Sequence, residues 1–205
     1  MRVLMILLVS IILFGKELIP LYSYPNKQWS KIKDAIVIIN VNNGPGFKIN
    51  NDYSKYINIL KQNGNKVIGY VYTKYGKRNK NIVKYNISKW AELYPIDGIF
   101  FDEADLNNNF DYYLNLRSFM NDLYGISILN AGTNVPQKII NKNIFDIIIT
   151  FEDSEIKYTK PINVSSSKTK IAALIHSAKN NNLNLNGYDY SFSTKDTLPN
   201  PWDSN

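Results

Sequence analysis

The sequence predicts an α/β fold, a compact (β/α)8 TIM barrel, and three observations support this prediction. Eight short runs of β-branched, aromatic and other apolar residues recur along the chain, as expected of strands that are buried on both faces. Segments with apolar residues at helical spacing separate several of these runs. Strands that alternate with helices favour right-handed crossovers and a parallel sheet, and eight such units close into a barrel.

The predicted strands follow one another along the whole chain. They are residues 18–24, 35–41, 66–73, 97–103, 125–132, 144–152, 170–177 and 187–194. Their nearly continuous apolar character is typical of parallel strands, whereas a sheet with one solvated face would alternate apolar and polar residues. We therefore expect all eight strands to lie in one parallel sheet.

Three of the connections carry clear helix signals. They are residues 52–64, 81–95 and 110–125. The first and third end at Gly64 and Gly125, which suit the left-handed conformation that often terminates a helix. The second stops at Pro95, which cannot continue a helix. These segments predict helices on the outside of the barrel.

The chain is short for a barrel of this kind. The predicted domain comprises residues 17–205, whereas a typical (β/α)8 barrel has about 250 residues. We therefore expect some trimmed helices in the C-terminal half, where residues 152–167 resemble a loop more than a helix. No internal repeat or low-complexity linker interrupts the pattern, so we predict one domain.

Residues 1–16 have the organisation of a secretory signal peptide. Arg2 precedes an apolar segment, residues 3–15, that is too short for a comfortable membrane span. The alternative is an uncleaved anchor through residues 3–15, but the first strand begins near Leu18 and leaves no linker before the domain. We expect a secreted, extracellular protein without a membrane span in its mature form, and we keep membrane anchoring as the alternative.

Composition and charge exclude several classes of site. The chain has no cysteine, so it has neither disulfides nor thiolate chemistry, and its single histidine excludes most zinc sites. The net charge of +7 invites a nucleic-acid interpretation, but the lysines are scattered singly and no nucleic-acid-binding motif is present. We expect a monomer that needs no metal or cofactor and binds no nucleic acid.

Polar and aromatic residues collect at the carboxyl ends of the predicted strands, where (β/α)8 barrels carry their active sites. In strand order they are Tyr22 and Tyr24, then Asn40, then Tyr70, Tyr72, Tyr75 and Arg78, then Asp102 and Glu103, and then Asn130, Glu152 and His176. Polar groups are costly in the middle of a buried strand unless they are paired. Their shared position predicts a site at one rim of the barrel.

Asp102 and Glu152 indicate the chemistry of that site. They lie on different strands and could face each other across the barrel mouth, as cleavage of a glycosidic bond requires. One carboxylic acid then protonates the leaving oxygen while the other carboxylate attacks or activates water. Glu103 would point to the opposite side unless the strand ends before it, in which case it could bind a substrate hydroxyl or shift the pKa of Asp102.

The tyrosines at the same rim predict sugar-binding walls, because aromatic faces stack on sugar rings. They are Tyr22, Tyr70, Tyr72 and Tyr75. Each residue also has a structural interpretation: the carboxylates could cap helices or pair with lysines, the histidine could be a hydrogen-bonded rim residue, and the tyrosines could fill the core. The joint placement at strand ends favours the functional interpretation.

Seven sequence blocks resemble the spherulin 4 proteins, also called spherulation-specific family 4. In chain order they are "IPLYSYP", "IINVNNGPG", "VIGYVYTKYGKR", "DGIFFDEAD", "ILNAGT", "TFED" and "NPWD". The resemblance extends from about Leu18 to Asp203, and its most specific part is the combination of the third and fourth blocks. Val41 and Ala131 stand where the family has proline.

The resemblance implies a (β/α)8 glycoside hydrolase similar to glycoside hydrolase family 135. Characterised members are endo-α-1,4-N-acetylgalactosaminidases that act on galactosaminogalactan, a microbial exopolysaccharide. The family's acidic positions correspond to Asp102, Glu103 and Glu152, and we assign Asp102 as nucleophile or charge stabiliser and Glu152 as general acid/base. The implied function is cleavage of internal bonds in an amino-sugar polysaccharide. The alternative is a non-catalytic polysaccharide-binding protein of a cell wall or coat.

Overall fold

The computed structural model describes residues 17–181, 183 and 185–203, so the predicted signal segment, residues 1–16, lies outside the described residues. Eight parallel strands form one sheet in the order of the sequence. The strands are β1 (Leu18–Leu21), β2 (Ile36–Ile39), β3 (Lys66–Tyr72), β4 (Gly98–Asp102), β5 (Ile126–Asn130), β6 (Ile147–Ser154), β7 (Lys170–His176) and β8 (Tyr190–Ser193). A parallel bridge between Glu17 and Ser191 joins the two ends of the sheet into a nearly closed barrel.

The connections are of very unequal length. Full helices are α1 (Asn51–Gln62), α2 (Lys80–Leu93) and α3 (Phe110–Met120), whereas α4 (Gln137–Ile140) is a single turn. The connections after β1 and β6 contain only short 3-10 turns, at Trp29–Lys31 and Glu155–Lys157. The predicted compact barrel with trimmed helices in its C-terminal half is confirmed, and the first connection is trimmed as well.

The full helices form where the sequence provides a cap and an apolar face. The side chain of Asn50 accepts hydrogen bonds from the backbone N–H groups of Asp52 and Tyr53 and so caps the start of α1. The three helices bury residues at three- or four-residue spacing against the sheet. These residues are Tyr53, Ile57 and Leu60 on α1, Val83, Ile87 and Trp90 on α2, and Tyr113, Leu116 and Met120 on α3.

The tightest contact between helix and sheet is at Gly69. A Cβ atom at this position of β3 would come within 2.7 Å of both the Trp90 ring and the Ile96 side chain. The indole of Trp90 is fully buried and donates a hydrogen bond of 2.9 Å to the backbone carbonyl of Tyr70. The missing side chain at Gly69 therefore lets α2 dock close to the strand that carries Tyr70 to the barrel mouth.

None of the helices within residues 17–181, 183 and 185–203 is long and apolar enough to cross a bilayer.

Candidate active site

A bulge in β6 turns Glu152 into the barrel. Paired residues on neighbouring strands point to the same side of a sheet, and Asn130 of β5 pairs with Ile149 of β6. Regular alternation from Ile149 would place Phe151 inside and Glu152 outside. The register between β6 and β7 shifts between Ile149 and Phe151, so Thr150 is an extra residue. Bulges of this kind re-aim side chains, and Glu152 consequently faces the interior with Asn130.

A left-handed turn places Glu103 on the same side as Asp102. Strand β4 ends at Asp102, and Glu103 has a φ of 50°, which is uncommon for a residue other than glycine. The backbone carbonyl of Glu103 accepts hydrogen bonds from the backbone N–H of Tyr75 at 2.7 Å and from the hydroxyl groups of Thr73 and Tyr113 at 2.9 and 3.3 Å. These three donors hold the turn, so both acidic side chains reach the barrel mouth.

One amide group links the two principal carboxylates. The Nδ2 atom of Asn130 donates a hydrogen bond of 2.8 Å to Oδ1 of Asp102 and a second hydrogen bond to Oε2 of Glu152. The outer oxygens have their own donors: the hydroxyl of Tyr70 donates to Oδ2 of Asp102 at 2.9 Å, and the indole of Trp202 donates to Oε1 of Glu152 at 3.2 Å. Every oxygen of the pair therefore accepts a hydrogen bond.

Glu152 is the strongly perturbed acid of the pair. Burial and the negative charge of Asp102 raise the pKa of Glu152 to about 7, and the hydrogen bonds from Asn130 and Trp202 oppose that rise. Burial and the charge of Asp102 also raise the pKa of Tyr70 far above its usual range. Tyr70 therefore keeps its proton and donates a hydrogen bond to Asp102. At neutral pH a substantial fraction of Glu152 therefore carries a proton.

Two cavities meet at Glu152. The first has a volume of about 360 Å³ and lies beside Asp102, Glu103, Asn130 and Tyr75. The second, of about 400 Å³, lies on the other side of Glu152 and is bounded by Asp153, Lys157, His176 and Trp202. Burial and the charge of Asp102 raise the pKa of Glu103 in the first cavity, while Lys74 lowers it. Together the cavities form an open depression across the barrel mouth with Glu152 at its middle.

Several of the predicted aromatic and polar residues lie at this depression. The ring of Tyr22 packs edge-to-face on Tyr70 with centroids 5.6 Å apart, and burial together with the charges of Asp102 and Glu152 raises the pKa of Tyr22. Tyr75 lines the first cavity and is half exposed, as a stacking platform must be. His176 is buried in the wall of the second cavity and hydrogen-bonds through Nδ1 to Ser177 at 2.9 Å.

Four residues predicted to bind substrate make contacts within the fold. Tyr24 donates a hydrogen bond of 2.7 Å to Asp52 at the start of α1. Asn40 accepts one of 2.9 Å from the backbone of Gly44 and so anchors the loop after β2. Arg78 and Tyr72 contact each other. The guanidinium of Arg78 donates a hydrogen bond of 2.7 Å to the backbone carbonyl of Tyr72 and lies over the Tyr72 ring. None of the four lines the two cavities beside Glu152, and a role for them in binding substrate stays a prediction.

The sequence prediction assigned no role to Trp202 or to the loop after β5. Trp202 is buried and donates to Glu152, and the only signal for it was its place in the "NPWD" block. The backbone carbonyl of Gly132 accepts a hydrogen bond of 3.1 Å from the N–H of Glu152, and Thr133 lines the first cavity.

Asp105 stabilises its own loop, because it accepts hydrogen bonds from the backbone and side chain of Asn108.

The acidic residues do not form a recognisable metal centre. No group of three or more His, Cys, Asp or Glu side chains is placed to hold a metal ion in the part of the chain that the structure describes. The amide of Asn130 occupies the space between Asp102 and Glu152 and donates to both. A donor in that position suits two carboxylates that act directly on a substrate.

Comparisons with known proteins agree with the resemblance found in the sequence. The model of the spherulation-specific family 4 matches residues 16–198. Spherulin-4 of Physarum polycephalum is 34% identical over 190 residues, which cover 87% of this chain and 54% of that protein, so the chain spans about half the length of this curated relative. The crystal structure of Aspergillus clavatus Sph3 in complex with GalNAc has the same fold, with a TM-score of 0.75, 20% identity and 92% of each chain covered.

Proposed function

The chain belongs to spherulation-specific family 4, and we propose that it is a glycoside hydrolase that cleaves internal bonds of a microbial amino-sugar polysaccharide. The observation that carries this proposal is the pair of carboxylates at the barrel mouth, Asp102 and Glu152, which are joined by the amide of Asn130. Pure binding of a sugar needs aromatic faces and hydroxyl contacts. It does not need two opposed acids, one of which has its pKa raised to about 7.

The carboxylates are close enough to act on the same glycosidic bond. Because both accept from the same nitrogen atom, their nearest oxygens lie within two hydrogen-bond lengths of each other, at most about 6 Å. Carboxyl groups are about 5–5.5 Å apart in retaining glycosidases and about 6.5–9.5 Å apart in inverting ones. The bound on the nearest oxygens is compatible with both ranges. Of the two arrangements we propose the retaining one, in which Asp102 attacks the sugar directly.

The reaction then has two steps. Asp102 forms a bond to the anomeric carbon while the bond to the leaving oxygen breaks, and Glu152 gives its proton to that oxygen. In the second step Glu152 takes a proton from water, the water oxygen attacks the anomeric carbon, and Asp102 leaves as a carboxylate. Glu103, which shares the first cavity, is placed to accept a hydrogen bond from a substrate hydroxyl or amine.

The two cavities support cleavage within a chain. Glu152 lies between them, so a polysaccharide that crosses the barrel mouth places one sugar on each side of the acid/base. An enzyme that removes only terminal sugars needs a cavity on one side of its acid/base alone, whereas Glu152 borders a cavity on each side.

The amino-sugar substrate is proposed from the relatives and from local charge. Sph3, which has the same fold, was crystallised with GalNAc, and the first cavity of this chain contains three acidic side chains, Asp102, Glu103 and Glu152. A cavity of that charge tolerates the amino groups of a partly deacetylated hexosamine chain even though the protein as a whole carries +7.

Incubation with purified polymers tests this function. Galactosaminogalactan and related hexosamine polymers are incubated with the wild type, and new reducing ends are measured. We expect Asp102→Asn and Glu152→Gln to lower the rate by about 10²–10⁴-fold, whereas the controls Asp111→Asn and Glu92→Gln, on exposed helix positions, retain it.

The same assay separates hydrolysis from binding. If the wild type and both site variants retain the polymer on an affinity gel but none releases reducing ends, the protein is a non-catalytic polysaccharide-binding protein. If the wild type is active, the anomeric configuration of the first product, followed by NMR, distinguishes retention from inversion.

A further inference from the structure

Glu152 has a hydrogen-bond donor on each of its oxygens. Asn130 donates to Oε2, and the indole of Trp202 donates to Oε1 at 3.2 Å. Both donors are shielded from water, because Asn130 is 7% exposed and Trp202 is 6% exposed. The two hydrogens of the Asn130 amide are fully used, one on Asp102 and one on Glu152.

These donors act against the other influences on Glu152. Burial and the charge of Asp102 both favour the protonated form. Hydrogen bonds donated to a carboxylate favour its ionised form instead. An acid/base that gives up its proton in one step and takes it back in the next works best with a pKa near the working pH. Without the donors, Glu152 would hold its proton too firmly.

We propose that Asn130 and Trp202 are positioning residues that set the proton affinity of Glu152. This inference rests on the proposed function, in which the side chain of Glu152 serves first as acid and then as base. Asn130 acts on both carboxylates and also fixes their spacing, while Trp202 acts on Glu152 alone.

Trp202 reaches the barrel mouth from the C-terminal segment. It belongs to the "NPWD" block that resembles the family, and it lies just after residues 16–198, which the family model matches. The backbone carbonyl of Trp202 accepts a hydrogen bond of 3.0 Å from the N–H of Tyr22 after β1. The indole packs against His176 and Phe192, with ring centroids 6.4 and 6.0 Å away. These contacts hold the indole N–H toward Glu152.

Other titratable groups also face Glu152 or line the two cavities beside it, and of these Asp102 and Asp153 raise its pKa. The groups are Tyr22 after β1, Tyr75 after β3, Asp102 and Glu103 at the end of β4, Asp153 and Lys157 at the end of β6, and His176 on β7. The donors are nevertheless separable from these charges, because substitutions of Asn130 and Trp202 by apolar residues leave every charge in place.

Direct titration of Glu152 tests the proposal without a substrate. The chain contains only five glutamates, at positions 17, 92, 103, 152 and 155, so side-chain carboxyl signals of ¹³C-glutamate-labelled protein are resolvable by NMR, and Glu152→Gln identifies the signal of Glu152. We expect the pKa of Glu152 to rise by about one unit in Trp202→Phe, which is the effect of losing one hydrogen bond to a charged group. Asn130→Leu produces a rise of similar or larger size.

Matched controls separate a specific effect from general damage to the fold. Trp29→Phe removes a buried indole that donates to Ser23, and Asn65→Leu removes a buried amide at the opposite end of the barrel. Both controls should lower stability without moving the titration of Glu152. If Asn130→Leu fails to fold, the titration of Glu152 in Trp202→Phe tests the proposal by itself, because phenylalanine keeps the ring packing and the backbone contact.

The outcomes distinguish this inference from the proposed function. Equal titration of Glu152 in wild type, Trp202→Phe and the controls overturns the inference, whatever the activity. A raised pKa in the site variants supports it even if no polymer is cleaved, which would count against the hydrolase alone. With an active enzyme, the basic limb of the kcat/KM profile should move to higher pH by the same amount as the NMR titration.

Discussion

Asp102 and Glu152 carry the same functional group in different surroundings, and those surroundings suggest different tasks. Asp102 accepts hydrogen bonds from Tyr70 and Asn130, which hold its carboxyl group in one orientation. Burial and the charge of Asp102 raise the pKa of Glu152 to about 7. In the function that we propose, this difference assigns the role of nucleophile to Asp102 and the role of acid/base to Glu152.

The raised pKa of Glu152 has a cost in stability that depends on pH. A glutamate in the unfolded chain titrates near 4.3, so between about pH 4.3 and 7 the folded state binds more protons than the unfolded state. The contribution of Glu152 to the free energy of unfolding is therefore fully present below that range and is lost as pH rises through it. We expect Glu152→Gln to be more stable than the wild type at pH 8 by up to about 4 kcal/mol.

Thermal unfolding at several pH values measures this difference. The gap between Glu152→Gln and wild type should close below about pH 4.5, where both side chains are neutral. Glu92→Gln, which removes an exposed partner of Lys89, is the control and should show no such pH-dependent gap. A constant gap at every pH would contradict the assignment of the raised pKa to Glu152.

The hydroxyl of Tyr70 is a second residue-scale test. Tyr70→Phe keeps the ring packing but removes the donor to Oδ2 of Asp102, so we expect a fall of about tenfold or more in kcat, because a charge-assisted hydrogen bond contributes about 1.5–3 kcal/mol. Tyr124→Phe removes a buried hydroxyl that donates to the carbonyl of Ile87 and serves as the control. Similar melting temperatures with different kcat values would support the role of Tyr70; equal kcat values would exclude it.

At the scale of secondary-structure elements, two irregularities of the backbone direct acidic side chains toward the barrel mouth. The bulge at Thr150 turns Glu152 inward, and the left-handed turn at Glu103 adds a third carboxylate to the first cavity. The turn follows the last residue of β4, whereas the bulge lies within β6 directly after Ile149, the last residue of β6 that pairs with β5. Irregular backbone of this kind costs free energy and persists where surrounding contacts hold it, as Thr73 and Tyr113 do for Glu103.

The closeness of β4 to β5 is the element-scale feature that is easiest to test. A Cβ atom on Gly98 would lie 2.2 Å from the backbone oxygen of Ile126 and 2.7 Å from its Cβ. Gly98→Ala must therefore push the strands apart. We expect a loss of about 2 kcal/mol or more in stability, together with lower activity because Asp102 and Asn130 stand at the ends of these strands.

Gly125→Ala is the matched control for that substitution. Nothing lies within 4 Å of the Cβ position of Gly125, directly before β5. Chemical denaturation should show a stability close to that of the wild type for Gly125→Ala and a clearly lower midpoint for Gly98→Ala. Equal midpoints for the two variants would mean that the strands can separate at little cost.

At the scale of the whole molecule, the barrel is covered unevenly. Helices α1, α2 and α3 cover the connections between β2 and β5, while the later connections are short turns and loops. The depression at the barrel mouth runs from the loop after β3 to the C-terminal segment at Trp202. The trimmed half therefore carries much of the proposed substrate path and contributes it from loops rather than from helices.

Export is a prediction about the whole chain. Residues 1–16 resemble a signal peptide, so we expect the exported protein to start near residue 17. Intact-mass analysis of the protein in the culture medium and in the membrane fraction measures this directly. Full-length protein that remains in the membrane fraction would indicate the alternative, an anchor through residues 3–15.

The strand pattern was enough to predict most of the architecture. Runs of apolar residues that end in "DGIFFDE" and "IFDIIITFE" indicated buried strands with acids at their carboxyl ends, and the (β/α)8 fold and the family resemblance are confirmed. Local signals are sufficient here because strand burial and helix capping depend on neighbouring residues. The assignment of Asp102, Glu103 and Glu152 as the acting groups stays a prediction for the assays above.

The details of the site depend on contacts between distant segments. Tyr24, Asn40, Tyr72 and Arg78 stand at strand ends like the other candidates, yet each is engaged by a neighbouring loop or helix. No local pattern distinguishes these side chains from those that line the cavities. Only the folded chain shows which polar atoms are already occupied.

The sequence by itself determined the eight strands, their parallel order and the presence of acids at one rim, because apolar periodicity and chain order are local properties. Tertiary structure decided the rest. A bulge at Thr150 turned Glu152 inward, the amide of Asn130 joined it to Asp102, and Trp202 reached it from fifty residues away along the chain. Proton affinity depends on burial and on such distances in space, which the order of residues along the chain does not contain.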